Sequence, residues 1–392
     1  MRIRSALVAL AVSLFVLGTA ALPAAAADPS VTLGATPSIV PVGGSVALAG
    51  HITPWRQGET VRLVTSGGRV LAETTTKAQG KFSFSMEPRE TVTVHAVWRH
   101  GSQKVATSAP VRIGVRAVVT TALESVRLFG GALIRGQVRP WHEGAVVQLQ
   151  LLRGSTPVWN STARLGPTGK FQRKVGPITK PGNYRARATF ADATHLAGTA
   201  LSAVQTTPLP YLARGSTGPF VYLLERRLVQ LHYYLTGIDQ TYDERTADAV
   251  VAFRKVQRMD RVYSVNADVW RALADPRTVA VHGSKTGYHI EVDQTLQVMF
   301  LVNDGQVSSI LHVSTGRPTK PTPDGDWHIY EKEHQVIDGM IYPSWYCWRA
   351  AIHGYNPVPT YPHSHGCIRV PPWAAQWAYD HAPMNAEVLI YH

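Results

Sequence analysis

Between His353 and Val370 the chain reads HGYNPVPTYPHSHGCIRV, which places one cysteine, three histidines and one arginine within eighteen residues. Acyl transfer by a cysteine needs a thiolate, a base, a group that orients the base, and donors for the oxyanion. Cys367 is the candidate nucleophile. Gly366 before it lets the backbone approach a substrate closely, and the amides around Gly366 and Cys367 are candidate oxyanion donors. His353 follows the apolar run Ala350-Ala351-Ile352, where packing can hold its ring. His365 is two residues from Cys367 and, on extended backbone, shares its face. No Asp or Glu occurs from Gly339 through Tyr379. The group orienting the base is therefore a backbone carbonyl, an amide such as Asn356, or a distant carboxylate. Arg349 and Arg369 make the neighbourhood electropositive, which favours a lowered thiol pKa and a substrate bearing a carboxylate. His353, His363, His365 and Cys367 could in principle ligate a metal, but their spacing fits no zinc pattern. Neither a metal nor a cofactor is expected.

The flanking sequence reads as the sheet that must carry these groups. His289–Asp293 and Gln297–Val302 have strand character, Asp304-Gly305 is a hairpin turn signal, and Ser308–Ser314 predicts another strand. Pro321–Gly325 is a tight loop, and Glu331–Ser344 is polar and irregular, a candidate lid. Pro371–Ala382 predicts a short helix, and Glu387–Tyr391 a closing strand.

Ile352-His353-Gly354, followed by Ser364-His365-Gly366-Cys367-Ile368-Arg369, closely resembles the signature of L,D-transpeptidases with a YkuD-type catalytic domain. Ser314–Pro318 and Thr322–Gly325 are similar to that family's STGKP and TPTG segments. The resemblance covers about residues 285–392. It implies that Cys367 is the nucleophile, that His353 is the base and that the carbonyl of Gly354 orients it. It also implies that Ser364, His365, Gly366 and Arg369 shape the oxyanion and substrate site. The implied reaction begins with acyl transfer from the third residue of a peptidoglycan stem tetrapeptide to the thiol, with loss of the terminal D-alanine. A neighbouring stem amine then completes a 3→3 cross-link. The alternatives are an L,D-carboxypeptidase or a catalytically idle wall-binding protein. Asp324-Gly325-Asp326 and the bulky Trp345–Arg349 depart from the family pattern and bear on the choice of acceptor. Cys347 could bond Cys367 as a reversible off-state; a free, buried Cys347 is the expectation. His363 is read as a loop residue.

Upstream, the apolar spacing changes to that of helices. Val221, Leu224, Leu228 and Leu231 share one helical face, as do Thr246, Ala249, Val250 and Phe253; Val269, Trp270 and Leu273 predict a third helix. This stretch resembles a peptidoglycan-binding helical module, although its usual glycine-rich turns are mostly missing. A plain spacer is the competing reading. Thr206–Gly218, rich in Thr, Pro and Gly, reads as a linker.

Residues 28–207 contain a domain-sized repeat. Gly50–Gly58 recurs as Gly136–Gly144, and Gly80-Lys81-Phe82 as Gly169-Lys170-Phe171. Alternating apolar residues and frequent Gly and Pro predict two β-sandwiches similar to bacterial immunoglobulin-like modules. Trp55 and Trp141 stand at equivalent positions and read as a structural corner. Residues 1–27 have a basic start, an apolar run and the small residues Ala25-Ala26-Ala27, which together read as a secretory signal.

The expected organisation is thus multidomain and mainly β. A signal segment (1–27) precedes two tandem Ig-like β-sandwiches (28–115 and 116–207), a three-helix module (214–275) and a β-rich catalytic domain with a short helix (279–392). The 45% hydrophobic content of the 392 residues excludes a disordered chain, and two cysteines exclude a disulfide framework. A formal charge of +13 favours polyanionic partners. With the resemblance, these are peptidoglycan stem peptides and glycan, and anionic wall polymers rather than nucleic acid. The expected location is outside the cytoplasm, secreted or at the cell wall, or membrane-anchored if the signal is retained.

Overall fold

A computed structural model describes residues 28–392; the expected signal segment lies outside the described residues. The described chain is mainly β and divides into two units, 28–117 with 191–197, and 118–190 with 198–392.

In the first unit, strand Val46–Thr53 buries Val46, Leu48 and Ile52 and exposes Ala47, Ala49 and His51, as a half-buried strand must. It pairs with Ser30–Val31, Gly34–Thr36 and Lys81–Met86; a second sheet is built around Thr60–Thr65, Val92–His100 and Val111–Arg116. Between the sheets lie Leu48, Leu63, Phe82, Ala96, Trp98 and Ile113. The second unit begins with an equivalent sandwich. Ala132–Arg139 pairs with Val118–Glu124 and Lys170–Val175, opposite a sheet centred on Val146–Arg153 and Asn183–Phe190.

The repeated glycines have a packing reason. Gly50 stands opposite Phe82, and Gly136 opposite Phe171. A Cβ on Gly136 would sit 2.1 Å from the Thr120 carbonyl oxygen and 2.3 Å from the Phe171 ring; on Gly50 it would sit 2.0 Å from the Thr32 oxygen and 2.6 Å from the Phe82 ring. Gly169, at φ +70°, clears the way for the ring of Trp141, which lies over it. Trp55, its counterpart, is 67% exposed.

Three helices follow: α1 Pro219–Gln230, α2 Glu244–Val256 and α3 Ala267–Ala274. Pro219 opens α1 at a position where its missing N–H costs nothing. Asp243 caps α2 by accepting from the Thr246 N–H at 3.1 Å, and Asn266 caps α3 by accepting from the Val269 N–H at 3.1 Å. Every residue of α2 from Thr246 to Val256 is buried. The cause is that α2 has neighbours all round. Its core cluster includes Leu224 and Trp270 of the other helices, Leu128 and Phe129 of the adjoining sandwich, and Val298, Phe300, Val302 and Ile310 of the C-terminal sheet. The segment read as a linker is tied down: the Leu212 and Val265 backbones exchange bonds of 3.0 and 2.8 Å.

That C-terminal sheet runs in the order Gln306–His312, Val298–Asn303, Tyr288–Asp293, Glu387–Tyr391, Gly325–His328. Val298–Val302 is buried throughout because both faces are covered. Val298, Phe300 and Val302 face the helices, whereas Met299 and Leu301 face a second core. That second core lies against another sheet, Glu331–Lys332, Met340–Cys347, Ala350–Gly354, Ile368–Val370, and against helix α4, Ala375–Asp380. The segment read as a lid is therefore partly strand, with Val336–Ile337 pairing onto Met340–Cys347. Among the described residues no helix is long and apolar enough to cross a membrane.

Candidate active site

Strands Ala350–Gly354 and Ile368–Val370 run parallel, with Ile352 opposite Ile368 and His353 opposite Arg369. Side chains alternate across a sheet, and paired residues share a face. Ile352, Ile368 and Val370 enter the core. Gly354 shares their face and presses on α4 so closely that a Cβ there would come within 2.5 Å of the Ala375 Cβ. The opposite face carries His353, Tyr355 and Arg369, with Cys367 just before its strand. The sequence thus brings an imidazole and a guanidinium together as paired residues of neighbouring strands, with the thiol in the bend one residue before the second strand, packed against the core.

His353 is buried, and its Nδ1 lies 2.9 Å from the Gly354 carbonyl oxygen. A carbonyl only accepts, so Nδ1 carries the proton and Nε2 keeps its lone pair. Burial pushes the His353 pKa down to about 4, against the Gly354 bond that supports protonation and with help from Arg369. The Tyr355 ring meets the imidazole edge-on at 5.7 Å.

Cys367 is a free thiol, partly exposed. Its pKa is raised. Burial dominates, and the Ala351 N–H and Arg369 only moderate it. The electropositive surroundings expected to lower it are thus outweighed, because most of the thiol's surface is withdrawn from water. Cys347 is free and buried in the core behind the site.

The turn before Cys367 is fixed by local bonds. Ser364 Oγ donates to the Cys367 carbonyl at 2.6 Å and accepts from the Gly366 N–H at 3.1 Å. The Gly366 carbonyl accepts from Thr322 Oγ1 at 2.9 Å and from the Tyr346 hydroxyl at 3.3 Å. C=O and N–H point oppositely across a trans peptide, so the Cys367 N–H faces away from Thr322 and Tyr346. The Gly366 N–H is engaged by Ser364, whereas the Cys367 N–H has no such partner within this turn. Gly366 holds φ +120°, where any other residue would be strained. Thr322 belongs to the Thr322–Gly325 segment and Tyr346 to the bulky Trp345–Arg349 stretch, but neither carries a role readable from the sequence.

His365 is exposed and, like Cys367, lies in the bend before the strand rather than on extended backbone; Arg317 foremost pushes its pKa down. His363 is also exposed, with its N–H bonded to the Thr315 carbonyl at 2.9 Å. Arg369 is buried over the Tyr355 ring at 4.1 Å. Asp324 accepts from Gln294 Nε2 at 2.7 Å and pairs with His392 at 3.1 Å. Among the described residues no cluster of three or more His, Cys, Asp or Glu is placed to hold a metal ion.

A family model described as the L,D-transpeptidase catalytic domain matches residues 287–390. Among solved structures, the chain is similar to an L,D-transpeptidase (residues 123–326) from Xylanimonas cellulosilytica. The two are 32% identical, the match covers 47% of this chain and 99% of that one, and the TM-score is 0.45. It is also similar to the catalytic domain of an E. faecium L,D-transpeptidase (26% identity, 28% and 100% coverage, TM-score 0.26). L,D-transpeptidase 1 of Mycobacterium tuberculosis matches at 20% identity (27% and 62% coverage, TM-score 0.23). No curated protein sequence matches. On the matched catalytic domain and a relative 32% identical that is covered almost end to end, the chain belongs to the L,D-transpeptidase family, with the YkuD catalytic domain at residues 287–390.

Proposed function

We propose that this chain forms 3→3 cross-links between peptidoglycan stem peptides through a thioester on Cys367. The observation that carries this reading is the His353 Nδ1–Gly354 carbonyl contact of 2.9 Å. It leaves an unprotonated Nε2 on the strand beside the one that Cys367 leads into, in a stretch that has no carboxylate to do the orienting. The low pKa of His353 and the raised pKa of Cys367 favour a neutral imidazole and a neutral thiol at rest. In the first step Sγ attacks the carbonyl of the third stem residue while Nε2 takes the thiol proton, and the Cys367 N–H receives the developing oxyanion. As the C–N bond breaks, the imidazolium returns that proton to the departing amine of D-alanine. A stem amine then attacks the thioester, gives its proton to Nε2 and releases the thiol. Water in place of the amine would give a carboxypeptidase.

The test is mass spectrometry of products formed from a disaccharide-tetrapeptide. Dimers lacking one D-alanine are expected, and Cys367→Ala should form none. Tripeptides alone would assign the chain to hydrolysis; unchanged substrate would sink the reading. A covalent carbapenem adduct on the wild-type protein, absent from Cys367→Ala, is the companion measurement.

A further inference from the structure

Arg317 and Arg369 stand out because, among the described residues, no acid forms an ion pair with either. Arg369 is only 8% exposed, yet its charge rests on the Tyr355 ring alone. Among the described residues, the Nε atoms of both Arg317 and Arg369 are buried without a hydrogen-bond partner. The arginine ion pairs among those residues belong to Arg62, Arg135, Arg245 and Arg271. The acid nearest Arg317 in sequence, Asp324, is engaged by Gln294 and His392. A guanidinium withdrawn from water without a counter-charge is costly, and an unpaired buried donor calls for an explanation.

The backbone brings the two together around the thiol. Arg369 is two residues beyond Cys367, and its N–H and carbonyl exchange bonds of 3.0 Å with Ser314. Arg317 donates its backbone N–H to the Ser364 carbonyl at 3.0 Å, three residues before Cys367. The guanidiniums lie close enough for Arg317 to oppose the charge on Arg369, and Arg317 and Lys320 both bear on His365. Like charges gathered in a site without acids are complementary to an anion, and a guanidinium fork matches a carboxylate in particular.

We infer that Arg317 and Arg369 together form a carboxylate-binding subsite that grips the free terminal carboxylate of the residue expelled from the acyl donor. This rests on the donor reading above and deepens it. In a tetrapeptide donor that carboxylate is one residue from the attacked carbonyl, within reach of groups flanking Cys367. In a donor longer by one residue it is carried past them. The subsite thus measures the distance between the bond broken and the chain end.

Two measurements on the full chain separate this inference from the functional reading. Binding of disaccharide-tetrapeptide and of its C-terminal carboxamide is measured calorimetrically in a Cys367→Ala background, and release of the terminal residue is measured with the thiol intact. The free acid should bind on the order of 10- to 100-fold more tightly than the amide, the range of a charged hydrogen-bonded contact. Arg317→Gln should erase most of that preference by weakening the acid and sparing the amide; Arg317→Lys should keep part of it. Equal binding of acid and amide, or equal weakening of both by Arg317→Gln, would overturn the subsite. If the acid is preferred but D-alanine is never released, the subsite stands and the transpeptidase reading falls.

Discussion

At the scale of single residues, the site combines two opposed shifts: an imidazole made a weaker base and a thiol made a weaker acid, both by burial. A folded His353 with a pKa of about 4 stays neutral through the mildly acidic range in which a free histidine would charge. The sign follows directly. Protonation removes the base, so the acid limb of the acylation rate should fall near pH 4 rather than near the ordinary histidine value of about 6.5. Alkylation of Cys367 by iodoacetamide should still be climbing above the ordinary thiol pKa of about 8.5. A plateau below neutrality would mean a resting thiolate–imidazolium pair instead. His353→Ala should slow acylation by roughly 10²–10⁴-fold if the ring is the base, as read from single-turnover thioester formation. Cys367 and His353 stand out in the sequence by residue type and setting, and Gly354 through the family resemblance. The anchoring of the Gly366 carbonyl by Tyr346 and Thr322 does not, since it joins three segments far apart in the chain. The direction of the thiol shift was also beyond the sequence, which displays Arg349 and Arg369 but not the withdrawal of Cys367 from water.

Among elements, α2 and the strand Val298–Val302 show what local pattern misses. The spacing of Ala249, Val250 and Phe253 predicts one apolar face, but α2 is buried all round and takes Lys255 inside with it. Lys255 Nζ lies 2.7 Å from the Gln297 carbonyl, 3.0 Å from the Val313 carbonyl and 2.5 Å from His312 Nδ1; His312 Nε2 in turn reaches the Val358 carbonyl at 3.1 Å. A lysine in a helix reads as solvated unless its acceptors are known, and these lie more than forty residues away. Lys255→Met removes the donor and leaves His312 Nδ1 and the Val313 carbonyl without it, while the Gln297 carbonyl keeps the Val313 N–H at 3.2 Å. The substitution should lower stability by about 2–4 kcal/mol, measured by urea denaturation. The repeat glycines were legible as a repeat but not as a requirement, because the reason lies on the neighbouring strands. Gly136→Ala drives a Cβ into the Thr120 carbonyl oxygen and the Phe171 ring. It should destabilise the second sandwich by about 1–3 kcal/mol or more, read as a lower thermal midpoint.

For the molecule as a whole, sequence periodicity separates a sandwich, a helical module and a catalytic domain, yet in the second unit they share cores. Phe129 of the sandwich lies against Trp270 of α3 at 6.3 Å, with Arg227 of α1 over its ring at 5.2 Å. A chain shortened to begin at residue 208 would lose Leu128 and Phe129 from that cluster. Loss of a buried phenylalanine alone costs about 3–5 kcal/mol, so the shortened chain should unfold at distinctly lower denaturant, whatever activity it keeps. The sheet covered on both faces also sets an order of events during synthesis. The helices are made before the strands that cover them, so Val250 and Phe253 emerge some sixty residues ahead of Ile310. At roughly 5–20 residues per second, the growing chain holds a bare apolar helix face for several seconds. Cys367 is made later still, so the thiol emerges only after every strand of the helix-facing cluster.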